Sequence, residues 1–349
     1  MNEIFAYLIV NKGVITLTNI NIPVSILNLG PIREGESEKD AIDAMVSLAQ
    51  ATEKMGYERY WIAEHHNTSA LISSATSMLI KHVLENTKEM KIGSGGVMLP
   101  NHSPLVVAEQ FGTMAQIYPN RVDLGLGRAP GTDMFTASAL RRSQDGDSVH
   151  SFPNDIQELL KYFGPMEVQG HVKAHIAMDT NVPIYVLGSS PNSAYLAAEL
   201  GLPYAFAAHF APKYMDEAIE IYKNEFKPSA YLDEPYMMVC LNVIATDDLE
   251  DAKREMTTTQ QLFLNIVRGT NNLLQPPKDD MDSLWNPQEK AAVLATTEVT
   301  LLGDKAAIRE QLIDFQTRYD VNEIMAVSYI FDEEKQKRSY EIFKEIVSE

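Results

Sequence analysis

The sequence predicts one (β/α)8 barrel, with insertions after its fourth and seventh strands. Three observations predict it. Eight apolar, β-branched segments alternate with amphipathic ones from residue 23 almost to the end of the chain. Most of the eight are near-continuous apolar runs, the pattern of parallel strands covered by helices. Polar and titratable residues gather where those runs end, which is where such barrels build their sites. A doubly wound open sheet is the competing arrangement for the same alternation.

The strands are expected at 23–29 (PVSILNL), 59–64 (RYWIAE), 91–99 (KIGSGGVML) and 121–127 (RVDLGLG), then at 183–188 (PIYVLG), 204–210 (YAFAAHF), 236–245 (YMMVCLNVIA) and 323–330 (EIMAVSYI). Helices fill the gaps. In the first, Ser37 and Asp40 resemble a capping box, Gly56 suits the stop, and Ile42, Met45, Val46 and Ala49 keep helical spacing. Ser103 and Pro104 open another helix, and Pro119-Asn120 end it. PNSAYLAAELG, KYMDEAIEIYKNEF and DEEKQKRSYEIFKEIV follow the fifth, sixth and eighth strands. Two connections exceed a bare crossover. Residues 129–182 contain HVKAHIAM, read as an excursion strand, and residues 246–322 hold a loose QPPKDDMDSLWNP. Residues 1–20 read as an N-terminal extension, and residues 21–349 as the barrel domain.

Composition narrows the function. Asp and Glu number 48 against 29 Lys and Arg, a net charge of −19. Such a surface repels nucleic acid and anionic lipid. The one cysteine, Cys240, builds neither a disulfide framework nor a cysteine-rich metal site, and fits a reduced, cytoplasmic setting. No apolar run reaches the roughly 18–20 residues that span a bilayer.

The strand ends carry the chemistry. WIAEHHN delivers Glu64, His65 and His66. Alternation along a strand argues that only one of the two histidines faces inward. The helical H-E-x-x-H spacing is absent, and no metal is expected. SGG at 94–96 interrupts a regular strand with glycine, which fits either a tight packing point or a flat ring against bare backbone. Arg128 follows LGLG and fits a phosphate clamp or an ordinary salt bridge. The turn GSSPNS places Ser189, Ser190 and Ser193 at a helix start, suited to a phosphate monoester, with Ser193 alternatively a plain cap. His209 lies at the end of the sixth segment. A carboxylate pair built from Glu64 with Asp123 or Glu109 is disfavoured, because Asp123 starts its strand and Glu109 lies inside a helix.

Taken together, WIAEHHN, GSGGVMLPNHSPLVVAEQF, RVDLGLGRAPGTD, YVLGSSPNSAYLAAELGLPYAFAAHF and EIMAVSYIF resemble the bacterial luciferase-like flavin monooxygenases. The likeness runs from about Pro23 to the C-terminus. It implies an FMN cofactor and a monooxygenase that uses reduced flavin and O2 on a small organic substrate. It implies that His65 is the acid/base beside the flavin. Glu64, Gly95, Gly96, Arg128, Ser189, Ser190 and Ser193 would bind the cofactor, Gly95 and Gly96 lying against the flavin ring, in some members across a cis peptide. Arg141 or Arg142 is a second candidate for the phosphate. A separate flavin reductase and a homodimer through the helices after the second and third strands are implied as partners. Gly127 and Gly131 depart from the light-emitting enzyme, so neither light emission nor a long-chain aldehyde is expected. Two alternatives stand beside this reading: hydride transfer with a deazaflavin, and flavin binding without catalysis.

Overall fold

The computed structural model describes residues 8–11, 14–17, 20–129, 131–140 and 151–349. Eight strands close into a parallel barrel: β1 (Val24–Asn28), β2 (Arg59–Ile62), β3 (Lys91–Met98), β4 (Val122–Gly127), β5 (Ile184–Gly188), β6 (Tyr204–Phe206), β7 (Met237–Ala245) and β8 (Glu323–Val327). Each pairs with its successor, and β8 returns to β1, with Ile324 opposite Val24 and Ala326 opposite Ile26. Closure leaves the barrel no unpaired edge. The open sheet is thereby excluded.

Alternation along the strands builds two cores. Ile26, Tyr60, Ile62, Ile92, Leu124 and Val186 point outward and are buried under the helices. Leu27, Trp61, Tyr185, Met238, Cys240 and Met325 point inward and fill the barrel. In β2 this puts Tyr60 outside and Trp61 inside, one residue apart.

The helical layer follows the sequence closely. Helix α1 (Glu38–Met55) has the Ser37/Asp40 capping box, and Gly56 stops it in the left-handed conformation. Then come α2 (Thr76–Asn86), α3 (Pro104–Ile117), and α4 (Met134–Leu140) with α5 (Phe152–Phe163) in the connection after β4. Helices α6 (Pro191–Leu200) and α7 (Met215–Glu225) follow β5 and β6. The connection after β7 carries α8 (Leu249–Arg268), α9 (Pro287–Thr296) and α10 (Lys305–Tyr319), and α11 (Glu333–Ser348) closes the chain.

Three expectations change. HVKAHIAM forms turns rather than a strand; Gln169 instead ties the segment together by bonding the Tyr162 carbonyl and the Ala174 N–H. The sixth strand ends at Phe206, and Ala207–Phe210 turn away, so His209 sits beyond the sheet. A short strand, Leu301–Gly303, also adds to the outer part of β7. Within the expected extension, Leu8–Asn11 and Val14–Leu17 pair as an antiparallel hairpin separate from the barrel sheet. Arg141 and Arg142 lie outside the described residues. Among the described residues no helix is long and apolar enough to cross a membrane.

Candidate active site

The C-terminal mouth of the barrel opens into a cavity of about 880 Å³. Its floor is the inner core: Leu27, Trp61, Cys240, Met325 and Tyr329. Its rim carries His65, Arg128, Ser189, Ser190, Ser193 and His209. Arg128 and Ser190, 62 residues apart by their numbers, thus meet in one space.

Glycine shapes the wall. Gly95 and Gly96 line the cavity, and the bond between them is cis, as the family resemblance implies. A Cβ on Gly95 would come within 2.7 Å of Leu27 Cδ1, and one on Gly96 within 2.8 Å of the Gly125 carbonyl oxygen. The packing excludes side chains there and leaves backbone facing the cavity.

A candidate anion site lies at the turn after β5. Ser190 is the N-cap of α6, yet its side chain makes no capping bond. The Ser193 hydroxyl donates to the Ser190 carbonyl at 2.6 Å and meets the Tyr204 hydroxyl at 2.9 Å. Ser193 is therefore a brace for the turn and not the N-cap. Gly188 makes room for it, since a Cβ there would lie 1.9 Å from Ser193 Oγ. Pro191 has no N–H and the Ser193 N–H returns to the Ser190 carbonyl at 3.1 Å, so the Asn192 N–H and the Ser190 hydroxyl are the groups left for an anion. Arg128 is exposed and has no ion pair with any described residue. An exposed guanidinium and a serine-rich helix start on one cavity, in a protein of net charge −19, could together hold an anion.

The three titratable groups after β2 separate into two roles. Glu64 is buried and does not line the cavity. Its Oε1 accepts from Nε2 of His66 at 2.8 Å and of His102 at 2.7 Å, and its Oε2 accepts the Met98 N–H at 3.1 Å. Burial pushes the carboxyl up, but these bonds outweigh it and hold the pKa below the ordinary value. Glu64 thus fastens the loop after β2 to the loop after β3. The carboxylate and two imidazole nitrogens lie within 4.8 Å of one another, a donor set a divalent ion could use, but hydrogen bonds already satisfy the carboxylate.

His65 lines the cavity, its backbone N–H held by the Ser73 carbonyl at 3.1 Å. Its Nδ1 is sealed from solvent without a partner. Burial lowers its pKa, Glu64 opposes that, and His66 reinforces it. His66 also borders the cavity, though its ring is committed to Glu64.

The sequence reads the long connection 246–322 as a lid over the mouth, but does not say which of its residues line the cavity. The last turns of α8 supply Leu262, Phe263, Asn265 and Ile266, and residues 270–272 continue the wall. A backbone pairing pins this strap: Leu274 N–H bonds Ile32 O and Glu34 N–H bonds Leu274 O, both at 2.8 Å. The amphipathic pattern of residues 249–268 was the available signal, but periodicity does not say what the apolar face covers.

The barrel mouth thus joins a candidate anion site, bare glycine backbone and imidazoles on one cavity, a frame suited to an enzyme. The luciferase-like monooxygenase family matches residues 22–320, and the chain belongs to that family. It is 46% identical to the luciferase-like monooxygenase of Escherichia coli (strain K12), over 95% of this chain and 99% of that one. The solved structure of apo-MsnO8 superposes with a TM-score of 0.83 at 28% identity, covering 94% of this chain and 98% of that one. The same fold, at 16% identity, is found in a type II Baeyer–Villiger monooxygenase in complex with FMN (TM-score 0.68, covering 93% of this chain and 97% of that one). It is also found at 16% identity in an F420-dependent secondary alcohol dehydrogenase (TM-score 0.67, covering 94% and 98%).

Proposed function

We propose that the protein is an FMN-dependent monooxygenase that takes reduced FMN from a separate reductase and oxidises a small organic substrate with O2. The observation that carries this reading is that Arg128, without an ion pair among the described residues, and the Ser190 turn, whose side chain caps nothing, share one cavity with the bare Gly95–Gly96 backbone. A phosphate fits the first pair, and a flat ring fits against the glycines.

Bound reduced flavin supplies the activation of O2, so that one oxygen atom enters the substrate and the other leaves as water. The chain does the rest. Arg128, Ser189 and Ser190 hold the phosphate. The apolar floor keeps water from the reacting atoms. His65 borders the cavity and burial lowers its pKa, so the resting ring is neutral, takes up a proton at its lone-pair nitrogen and returns it as imidazolium.

Among the described residues lining the cavity, Arg128 is the one lysine or arginine. A deazaflavin cofactor with an acidic tail calls for more cations at the mouth. Exposed Met78, Val106 and Ile117 on α2 and α3 support a homodimer through those helices.

Two measurements test the reading. Titrated with FMN and with F420, the protein should bind FMN at least roughly tenfold more tightly; the reverse preference contradicts the proposal. His65→Ala should keep FMN affinity while oxygenation of any accepted substrate falls about 10²–10⁴-fold. Unchanged oxygenation removes His65 as the acid/base.

A further inference from the structure

Among the described residues, Trp61 is the largest fully buried side chain, and it lies in the floor of the cavity. It packs against the glycine wall: a Cβ on Gly95 would come within 3.0 Å of Trp61 Cβ and 3.3 Å of its Cε3. A flat ring laid on that backbone therefore lies close to the indole. The one polar atom of the indole is placed as well. Nε1 donates to Oδ2 of Asp123 at 3.2 Å, and Asp123 is itself buried and held by Arg59 at 2.5 Å. An electron-rich ring thus borders the cavity while its proton points at a carboxylate.

That pairing has a chemical consequence. An indole that loses an electron becomes a strong acid at Nε1, and here the acceptor is already hydrogen-bonded. The neighbouring ring is built the other way. Tyr185 lies edge-on to Trp61 with centroids 4.9 Å apart, but its hydroxyl oxygen accepts from Arg59 Nη1 at 2.8 Å. A cation on that oxygen opposes loss of an electron from the phenol. An electron vacancy formed on Trp61 therefore stays there. The same floor carries Cys240 and Met325, side chains that oxidants damage.

We propose that Trp61 is a one-electron donor to a flavin bound in the cavity, with Asp123 as the acceptor of the indole proton. The oxidant is oxidised FMN excited by light. Trp61 gives up one electron to it and hands the Nε1 proton to Asp123. The indole N–H bond breaks, a carboxyl O–H bond forms, and the flavin is reduced by one electron. Recombination returns the electron and the proton to Trp61, so the cycle consumes nothing. The pair drains the excited flavin before Cys240, Met325 or substrate is oxidised. The proposal rests on the FMN reading for its oxidant and goes beyond it, because oxygenation does not use this step.

The test uses the full chain as wild type, Trp61→Phe and Trp285→Phe, each first titrated with oxidised FMN. Trp285 is the control: it also gives its N–H to a carboxylate, Asp282 at 2.8 Å, but it does not line the cavity. The fluorescence lifetime of bound FMN is then read. Phenylalanine is far harder to oxidise, and a barrier raised by about 1.4 kcal/mol already slows a step tenfold, so the lifetime should lengthen at least about tenfold in Trp61→Phe. It should match wild type in Trp285→Phe. An unchanged lifetime in Trp61→Phe overturns the proposal. Should that variant not fold, a laser flash on the wild-type complex decides. A neutral tryptophanyl radical must appear as the flavin is reduced, and must form more slowly after full exchange into D2O. No radical, a tyrosyl radical in its place, or a rate indifferent to D2O overturns the proposal. FMN that binds and keeps its free-solution lifetime refutes the electron donor alone. A chain that binds no FMN refutes the flavin reading and the donor with it.

Discussion

The two ends of the barrel hold polar groups in opposite states. At the N-terminal end, Arg59 bonds Asp123 at 2.5 Å, Glu323 at 2.8 Å and the Tyr185 hydroxyl at 2.8 Å. Trp61 Nε1 donates to Asp123, the Tyr236 hydroxyl to Glu323, and the Ser25 hydroxyl to Glu323. Every charge there has partners. At the C-terminal end, Arg128 has no ion pair with a described residue, Ser190 leaves its helix uncapped, and His65 and His209 each bury a lone nitrogen. The contrast teaches how to tell structure from site. A completed polar network closes a barrel, and an incomplete one awaits a ligand.

The largest effect should come from breaking the completed end. Arg59→Met strands Asp123 and Glu323 without their cation, and removal of one partner of a buried pair costs about 3–5 kcal/mol. Chemical denaturation should show a loss of that order, while the mouth keeps its FMN preference in the folded fraction. A loss below about 1 kcal/mol would show that the network is not what holds the lower barrel.

Glu64 joins the two states, being a satisfied carboxylate beside the unsatisfied ring. Its folded pKa is lowered from an ordinary 4.5. Its stabilisation is therefore fully present above pH 4.5 and is lost as pH falls through the lower folded value. Glu64→Gln should cost about 1.5–3 kcal/mol near pH 7. The gap from wild type should narrow as the medium is acidified below pH 4.5. A gap that widens on acidification would mean the carboxylate is not the stabilising form.

A smaller effect is expected at Gly188. An alanine Cβ would meet Ser193 Oγ at 1.9 Å, so the turn must shift. Overpacking of this kind costs about 1–3 kcal/mol, and the brace that shapes the phosphate turn should loosen. FMN affinity that stays at the wild-type level in Gly188→Ala would separate Ser193 from the phosphate site.

Much of this contrast was legible in the chain. The apolar runs fixed eight strands, because a buried parallel strand is apolar on both faces. Asp123 was placed at the far end by its position at a strand start, and it lies there, paired to Arg59. GSSPNS and Arg128 were readable as a candidate anion site because helix starts and guanidinium groups need no distant partner to be recognised, and both line the one cavity. What stayed hidden depends on contacts between remote segments. The role of Glu64 as a fastener requires His102, 38 residues away. The strap from α8 depends on Leu274 pairing with Ile32 and Glu34. His209 could be read as a strand-end residue, but its buried Nδ1 and fixed ring appear only once Asn242 and Phe210 are placed around it.

The central claim is that the unfinished end of the barrel holds a flavin by its phosphate. The most direct measurement is the affinity of wild type and Arg128→Ala for FMN and for riboflavin, which lacks the phosphate. The account predicts that FMN weakens by about 1.5–3 kcal/mol, roughly 10- to 150-fold, while riboflavin affinity hardly changes. Equal losses for both ligands, or none for either, would contradict it.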